Sequence, residues 1–218
     1  MFNRRKRVSA VTKVSDRKLL VATHNNGKVA EYNDILGNGR IAFLTLSDVG
    51  ITEDVPETGS TFRENAILKA TAYAEQTGLL TLADDSGLEV EALGGRPGVL
   101  TARYGGPGLS MAERYTLLLQ EMTEIPDSLR AAQFCCVIAL AAPDGTILGV
   151  SEGVCRGKIS WEPSGEAGFG YDPIFYFPEY DLTMAQLRPE EKHRISHRGR
   201  AVEAIAPLLR DVLNGRQP

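Results

Sequence analysis

An apolar run at residues 79–83 (LLTLA) stops against Asp84, Asp85, Ser86 and Gly87. Two adjacent carboxylates at the end of a buried strand cost free energy unless something neutralises them, because charge there borders low-dielectric core. A divalent cation held by hard oxygen ligands would do so. A solvated turn is the plainer reading, since Asp, Ser and Gly are ordinary turn residues. On this stretch alone the two readings stand level. Both end the strand at Asp84, turn the chain at Ser86-Gly87 and place a short strand over residues 88–92.

The pattern around this stretch limits the architecture. Residues 18–23 (KLLVAT) read as a buried first strand, followed by an Asn25-Asn26-Gly27 turn and helical spacing over 28–36, with Gly37 and Gly39 as stops. Residues 41–46 read as a second strand. Thr61 with Glu64 three residues on is a capping box, opening a helix that runs to about Thr77 and closes at Gly78. A loop at 94–98 precedes a helix at 111–122. Residues 130–142 and 147–156, separated by Pro143-Asp144-Gly145-Thr146, read as a hairpin. A Gly-rich loop covers 165–173 and a last helix 198–213. Strands alternate with helices early and pair antiparallel later, which predicts an α/β fold with a mixed sheet in one domain over residues 18–214.

The 218 residues are 43% hydrophobic and 24% charged, as in an ordinary globular protein. No apolar run approaches the roughly 18 residues that span a bilayer. Residues 1–18 carry seven Lys or Arg against one acid, a net of +6, so a chain of net charge −4 has −10 on the remainder. So acidic a body is a poor general nucleic-acid binder, since phosphate contacts need clustered Lys and Arg. The basic leader (residues 1–17) lacks an apolar segment and reads as a disordered extension, not a secretory signal. Cys135, Cys136 and Cys155 show no CxxC spacing, and the first two sit in the apolar run 134–142 as core residues. A cytoplasmic location fits them.

Four segments could carry chemistry. Thr23-His24-Asn25-Asn26-Gly27-Lys28 joins a strand to a helix through a polar turn. Free backbone N–H groups and a helix dipole would meet there, with Lys28 as a point charge. It is not a Walker A loop, because Val29 follows the lysine. Glu57, in the loop before the capped helix, is a metal ligand or a surface acid. Lys69 on that helix faces phosphate or snorkels to solvent. In Gly168-Phe169-Gly170-Tyr171-Asp172-Pro173, two glycines bracket an aromatic plane that stacks on a planar base or packs into the core. Residues 192–200 (KHRISHRGR) gather basic and imidazole side chains in an acidic body, as an anion site or as a solvated helix start.

In order along the chain stand TxNxxK (23–28), ETGxTFxENAxxKA (57–70), ADDSGL (83–88), LGGxPG (93–98), ARY (102–104), GFGYDP (168–173) and EKxxISHRG (191–199). Together they resemble the inosine triphosphate pyrophosphatase family, over residues 18–213. The resemblance implies an elongated mixed sheet with flanking helices, two lobes around a central nucleotide cleft, a homodimer and Mg²⁺. It implies hydrolysis of ITP, dITP or XTP to the monophosphate and pyrophosphate. Asp85 would be the base, with Glu57, Asp84 and Asp85 on the metal. The phosphate end would be held by Thr23, His24, Asn25, Asn26, Gly27, Lys28 and Lys69, with Ser86 close by. Phe169, Gly170, Tyr171, Asp172, Lys192, His197 and Arg198 would line the base and sugar. Arg198 or a protonated His197 is the donor expected to face a 6-oxo purine, because adenine would leave such a donor unpaired. His24 departs from the family, where Gly is common. The rivals are a pyrophosphatase of another base preference and a non-catalytic nucleotide binder.

Overall fold

The computed structural model describes residues 18–37 and 41–216; the basic leader and Gly39 lie outside the described residues. Seven strands form one open sheet in the order β2-β1-β3-β4-β5-β6-β7. β1 (Lys18–Val21) lies between β2 (Ala42–Thr45) and β3 (Thr81–Val90), parallel to both. From β3 onward, through β4 (Ala131–Ala141), β5 (Ile147–Ile159), β6 (Phe175–Phe177) and β7 (Leu182–Thr183), every pairing is antiparallel. The mixed α/β sheet is as expected.

Helices cover both faces. α2 (Phe62–Thr77) starts from a complete capping box: Thr61 Oγ1 accepts from the Glu64 amide at 3.1 Å, and the Glu64 carboxylate accepts from the Thr61 amide at 3.1 Å. It ends on Gly78, whose φ of 64° is the left-handed conformation glycine adopts cheaply. Its inner stripe of Ala66, Ala70, Tyr73 and Ala74 packs on Leu20, Ala83, Val137 and Ala139. Across the sheet, α5 (His197–Leu213) places Ala201, Val202, Ile205 and Leu209 against Leu19, Val21, Leu82 and Ile138. α1 (Asn26–Leu36) adds Tyr32 to that layer. The far half of the sheet has its own core, with Leu118 of α3 (Met111–Glu121) beside Leu88, Phe134 and Phe175.

β3 corrects the expected turn. It does not end at Asp84 but continues through Asp85, Ser86 and Gly87, paired with Val137, Cys136 and Cys135 of β4. The strand that ends is β1: its last pairing is Val21 with Leu82, closed by the Ala22 amide donating to the Leu82 carbonyl at 2.8 Å. From Ala83 to Gly87 one edge of β3 therefore stands open, before Glu89 bridges Pro97. Gly87 is small for room, not for a turn, since a Cβ there would collide with Thr101, Gly98 and Phe62. Thr101 Oγ1 instead takes the Leu88 amide at 2.9 Å.

β6, β7 and α4 (Pro189–Ile195) were not expected. They hold three, two and seven residues, too few for a period to emerge. α4 and α5 are separate because Ser196 leaves the helical conformation and its side chain caps the Gly199 amide at 3.1 Å.

Candidate active site

The open edge of β3 forms the floor of a cleft of about 650 Å³. Its walls come from the segment after β1 (Thr23, His24, Asn25, Lys28), the loop before α2 (Asp54, Glu57) and Lys69 of α2. Opposite stand the 3-10 turn Gly98–Arg103, the Phe169–Asp172 loop, and Lys192 and His197 of α4 and α5. A crevice beside a terminated strand is where open α/β sheets bind ligands, because loops diverge there.

Successive strand residues face opposite sides, and this separates the expected carboxylate pair. Asp85 faces α2 and the cleft. Its Oδ2 accepts from Asn65 Nδ2 at 3.0 Å; its Oδ1 accepts from the Ser86 amide at 3.1 Å and faces Lys69 Nζ at 3.4 Å. Lys69 is shared with Glu57 Oε1 at 2.5 Å. Burial pushes the Asp85 carboxyl above its ordinary 3.8, Lys69 pulls it down and Glu57 pushes it up again. Lys69 stays charged: burial disfavours the ammonium, but Asp85, Asp84 and Glu57 outweigh it.

Asp84 faces the other way and does not line the cleft. Its Oδ2 meets Lys28 Nζ at 2.9 Å and Arg198 Nη2 at 3.2 Å. Despite full burial, those two cations hold its carboxyl far below the ordinary range. Arg198 continues to Glu31 and to Ser86 Oγ (3.0 Å); Lys192 bridges Glu31 and Asp172, each at 2.6 Å. The result is one buried chain of alternating charge, Lys28–Asp84–Arg198–Glu31–Lys192–Asp172. An isolated charge at any of these depths would be prohibitive; paired in series, each has a counter-charge.

The chain of charges places three of the expected site residues. Asp84 Oδ2 is taken by Lys28 and Arg198, while its buried Oδ1 has no hydrogen-bond partner among the described residues. Arg198, 1% exposed, commits Nη1 and Nη2 to Glu31, Asp84 and Ser86, while its Nε has no partner among the described residues and its Cζ lies 5.6 Å from the Phe169 ring centroid. Burial and the nearby Arg198 push the His197 imidazole well below its ordinary pKa, which favours the neutral ring. Its neutral ring stacks on Phe134, centroids 4.7 Å apart, and its Nδ1 has no hydrogen-bond partner. The basic run 192–200 is therefore no solvated helix start: Lys192, His197 and Arg198 point inward, while Arg194 and Arg200 stay exposed.

At the other end, Phe169 is half-buried, with Lys192 Nζ 4.8 Å from its ring centroid. Its amide donates to Asp172 Oδ2 at 2.8 Å. Gly27 lies under the ring: a Cβ there would sit 2.6 Å from Phe169 Cδ1. Tyr171 is buried, with its hydroxyl donating to the Thr101 carbonyl at 3.1 Å. Gly170 shares the wall. At the start of α1, Asn25 Oδ1 already accepts from the Gly27 and Lys28 amides, at 2.9 and 3.2 Å. Two of the expected N–H groups there are thus capped, and Asn26 faces solvent as the first residue of α1. Thr23 Oγ1 takes the Asn25 amide at 3.1 Å, and His24 Nε2 lies 3.7 Å from Asp54 Oδ1.

Residues 19–208 match the family model described as the Ham1 family. The dITP/XTP pyrophosphatase of Halalkalibacterium halodurans is 48% identical over 193 residues, 88% of this chain and 99% of that protein. That of Bacillus subtilis is 44% identical, over 88% and 97%. The chain belongs to the Ham1 family. A solved HAM1 structure from Coxiella burnetii superposes with a TM-score of 0.80 at 44% identity, covering 89% of this chain and 99% of that one. The Staphylococcus aureus Ham1 protein gives 0.79 at 41%, covering 90% and 100%.

Within this Ham1 cleft, four residues escaped the sequence reading. Asn65 accepts from the Gly59 amide at 2.8 Å and so presents its NH₂ to Asp85. Its spacing of four from Lys69 on one helix is a signal that could have found it. Glu31, three residues beyond Lys28 on α1, belongs to none of the segments singled out in the sequence. Arg103 stands in the ARY segment (102–104), to which no role was given, and Asp54 sits in a loop whose position no local pattern gives. Glu57 and Asp85 converge on one ammonium, and oxygen donors so placed suit a hard cation that takes one or two carboxylates and completes its shell with phosphate oxygens and water.

Proposed function

We infer that this Ham1 protein is a nucleoside triphosphate pyrophosphatase that hydrolyses non-standard purine nucleotides (dITP, ITP and XTP) to the monophosphate and pyrophosphate. The observation that carries the reading is Asp85. It is a carboxylate with a raised pKa, oriented by Asn65 and Lys69 at the floor of a cleft with an aromatic plane at one end and lysines along it. The names of the relatives agree with it.

Asp85 orients the attacking water and accepts its proton, which favours a carboxyl whose pKa lies above the ordinary range. Lys69 and Lys28 face the phosphates and balance charge as it builds on the leaving pyrophosphate. Thr23, His24 and Asn25 form the wall at that end, with Ser86 on the floor. Glu57 and Asp85 are the residues that would hold Mg²⁺, which, when bound, supplies charge neutralisation against the phosphate oxygens.

Phe169 stacks on the purine, with Gly170 and Tyr171 shaping that wall. Lys192, fixed between Asp172 and Glu31, is the charged donor at the base end. With Arg198, whose Nε has no partner among the described residues, it suits a 6-oxo group over a 6-amino group. Asp84 and Arg198 act as the charge hub that fixes Lys28 and Lys192.

Residues 18–214 act as one unit, and the active species is a homodimer in the cytoplasm. No helix among the described residues is long and apolar enough to cross a membrane. Pyrophosphate release from dITP, ITP, XTP, GTP and ATP, with and without Mg²⁺, tests the reading. The inosine and xanthosine nucleotides should dominate and require the metal; equal rates on ATP would contradict the base preference.

A further inference from the structure

Arg103 differs from the other cations on the cleft wall. Lys28 meets Asp84 at 2.9 Å, Lys69 meets Glu57 at 2.5 Å and Lys192 meets Asp172 at 2.6 Å, all from largely buried positions. Arg103 closes the turn Gly98–Arg103 with its side chain 51% exposed. Its one partner among the described residues is Glu57, with Nη1 3.7 Å from Oε2. That separation is too long for a hydrogen bond. A guanidinium carries five N–H donors in a planar fork that matches phosphate oxygens, and here that fork is unspent.

The wall as a whole supplies no surplus charge. Lys28, Lys69, Arg103 and Lys192 stand against Asp54, Glu57, Asp85 and Asp172. A polyanion entering such a cleft gains little from its net field and must recruit donors that are not already committed. Among the described cations of the wall, Arg103 alone offers them at no cost in broken hydrogen bonds or close ion pairs. Its place is also specific: Glu57 connects it through Lys69 to Asp85, while Lys192 stays with Phe169 at the far end.

We propose that Arg103 is a phosphate-binding residue, leaving Glu57 to grip by bidentate hydrogen bonds the phosphates that depart as pyrophosphate. The proposal rests on the pyrophosphatase reading above. It assigns Arg103 to the leaving group, not to the base, sugar or α-phosphate. Being half exposed with no buried partner, the side chain can be changed without opening the core.

Calorimetric titration of inorganic pyrophosphate and of inosine monophosphate into the full-length wild type, Arg103→Lys and Arg103→Ala tests it. Losing a bidentate charge-assisted contact should weaken pyrophosphate binding about tenfold in Arg103→Ala. Arg103→Lys should fall between the two, and monophosphate binding should not move. Unchanged pyrophosphate affinity in Arg103→Ala overturns the proposal, as does equal weakening of both ligands. Pyrophosphate release from dITP by the wild type, measured alongside, tests the activity separately, so either idea can fail without the other.

Discussion

Asp84 and Asp85 are neighbours in sequence and point to opposite faces of β3, one into a buried set of cations and the other into the cleft. The alternation of a strand makes this unavoidable once β3 runs on past Leu82. It gives one dipeptide two tasks. Lys28 and Arg198 hold the Asp84 carboxyl far below its ordinary range, while Asp85 keeps a raised pKa beside a single shared lysine.

Asp84→Asn should cost about 3–5 kcal/mol, because it strands Lys28 and Arg198 without their common counter-charge. The pH dependence carries a definite sign. Asp84 titrates lower in the folded than in the unfolded chain, so its contribution is whole above about 3.8 and fades as pH falls toward its folded value. Thermal denaturation at a series of acid pH values should show a wild-type Tm that falls on acidification through that region. The variant should be less stable near neutrality, with a shallower fall.

Asn65→Ala should reduce kcat roughly tenfold by loosening the aim of Asp85. It should also move the acid limb of the kcat/KM profile to higher pH, since the Asn65 hydrogen bond holds the Asp85 pKa down. Asn65 reaches Asp85 directly, so a loss of stability with an unmoved limb would reduce it to a packing residue. The pH profile separates the two.

Gly27→Ala places a methyl where the Phe169 ring now lies, within 2.6 Å of Cδ1. The ring must shift, and purine binding should lose about 1–3 kcal/mol, the worth of a base stacked on an aromatic plane. Titration with inosine monophosphate should show the loss. Inorganic pyrophosphate should bind as before, because the Gly27 amide is already taken by Asn25.

Much of this was legible in the sequence, for reasons that differ from element to element. Thr61 with Glu64, and Gly78, mark α2 because caps are local chemistry, and both stand where the pattern put them. Pro143-Asp144-Gly145-Thr146 marks the β4–β5 hairpin in the same way. The Asp84–Gly87 run misled because turn residues and an open strand edge look alike until the neighbouring strand is known. The burial of Lys192 and Arg198 was invisible, since their partners Glu31 and Asp84 are remote in the chain: Glu31 is 167 residues from Arg198. Arg103 stood in the ARY segment without a role, because its neighbour Glu57 is set by the fold, not by spacing.

The central claim is that Asp85 activates water at the floor of a nucleotide cleft. Asp85→Asn keeps the side chain's size and its contact with Asn65 while removing the base. Its pyrophosphate release from dITP, measured with dITP binding by calorimetry, tests the claim most directly. Turnover should fall by roughly 10²–10⁴-fold while dITP still binds in the cleft. Turnover close to that of the wild type would contradict the account.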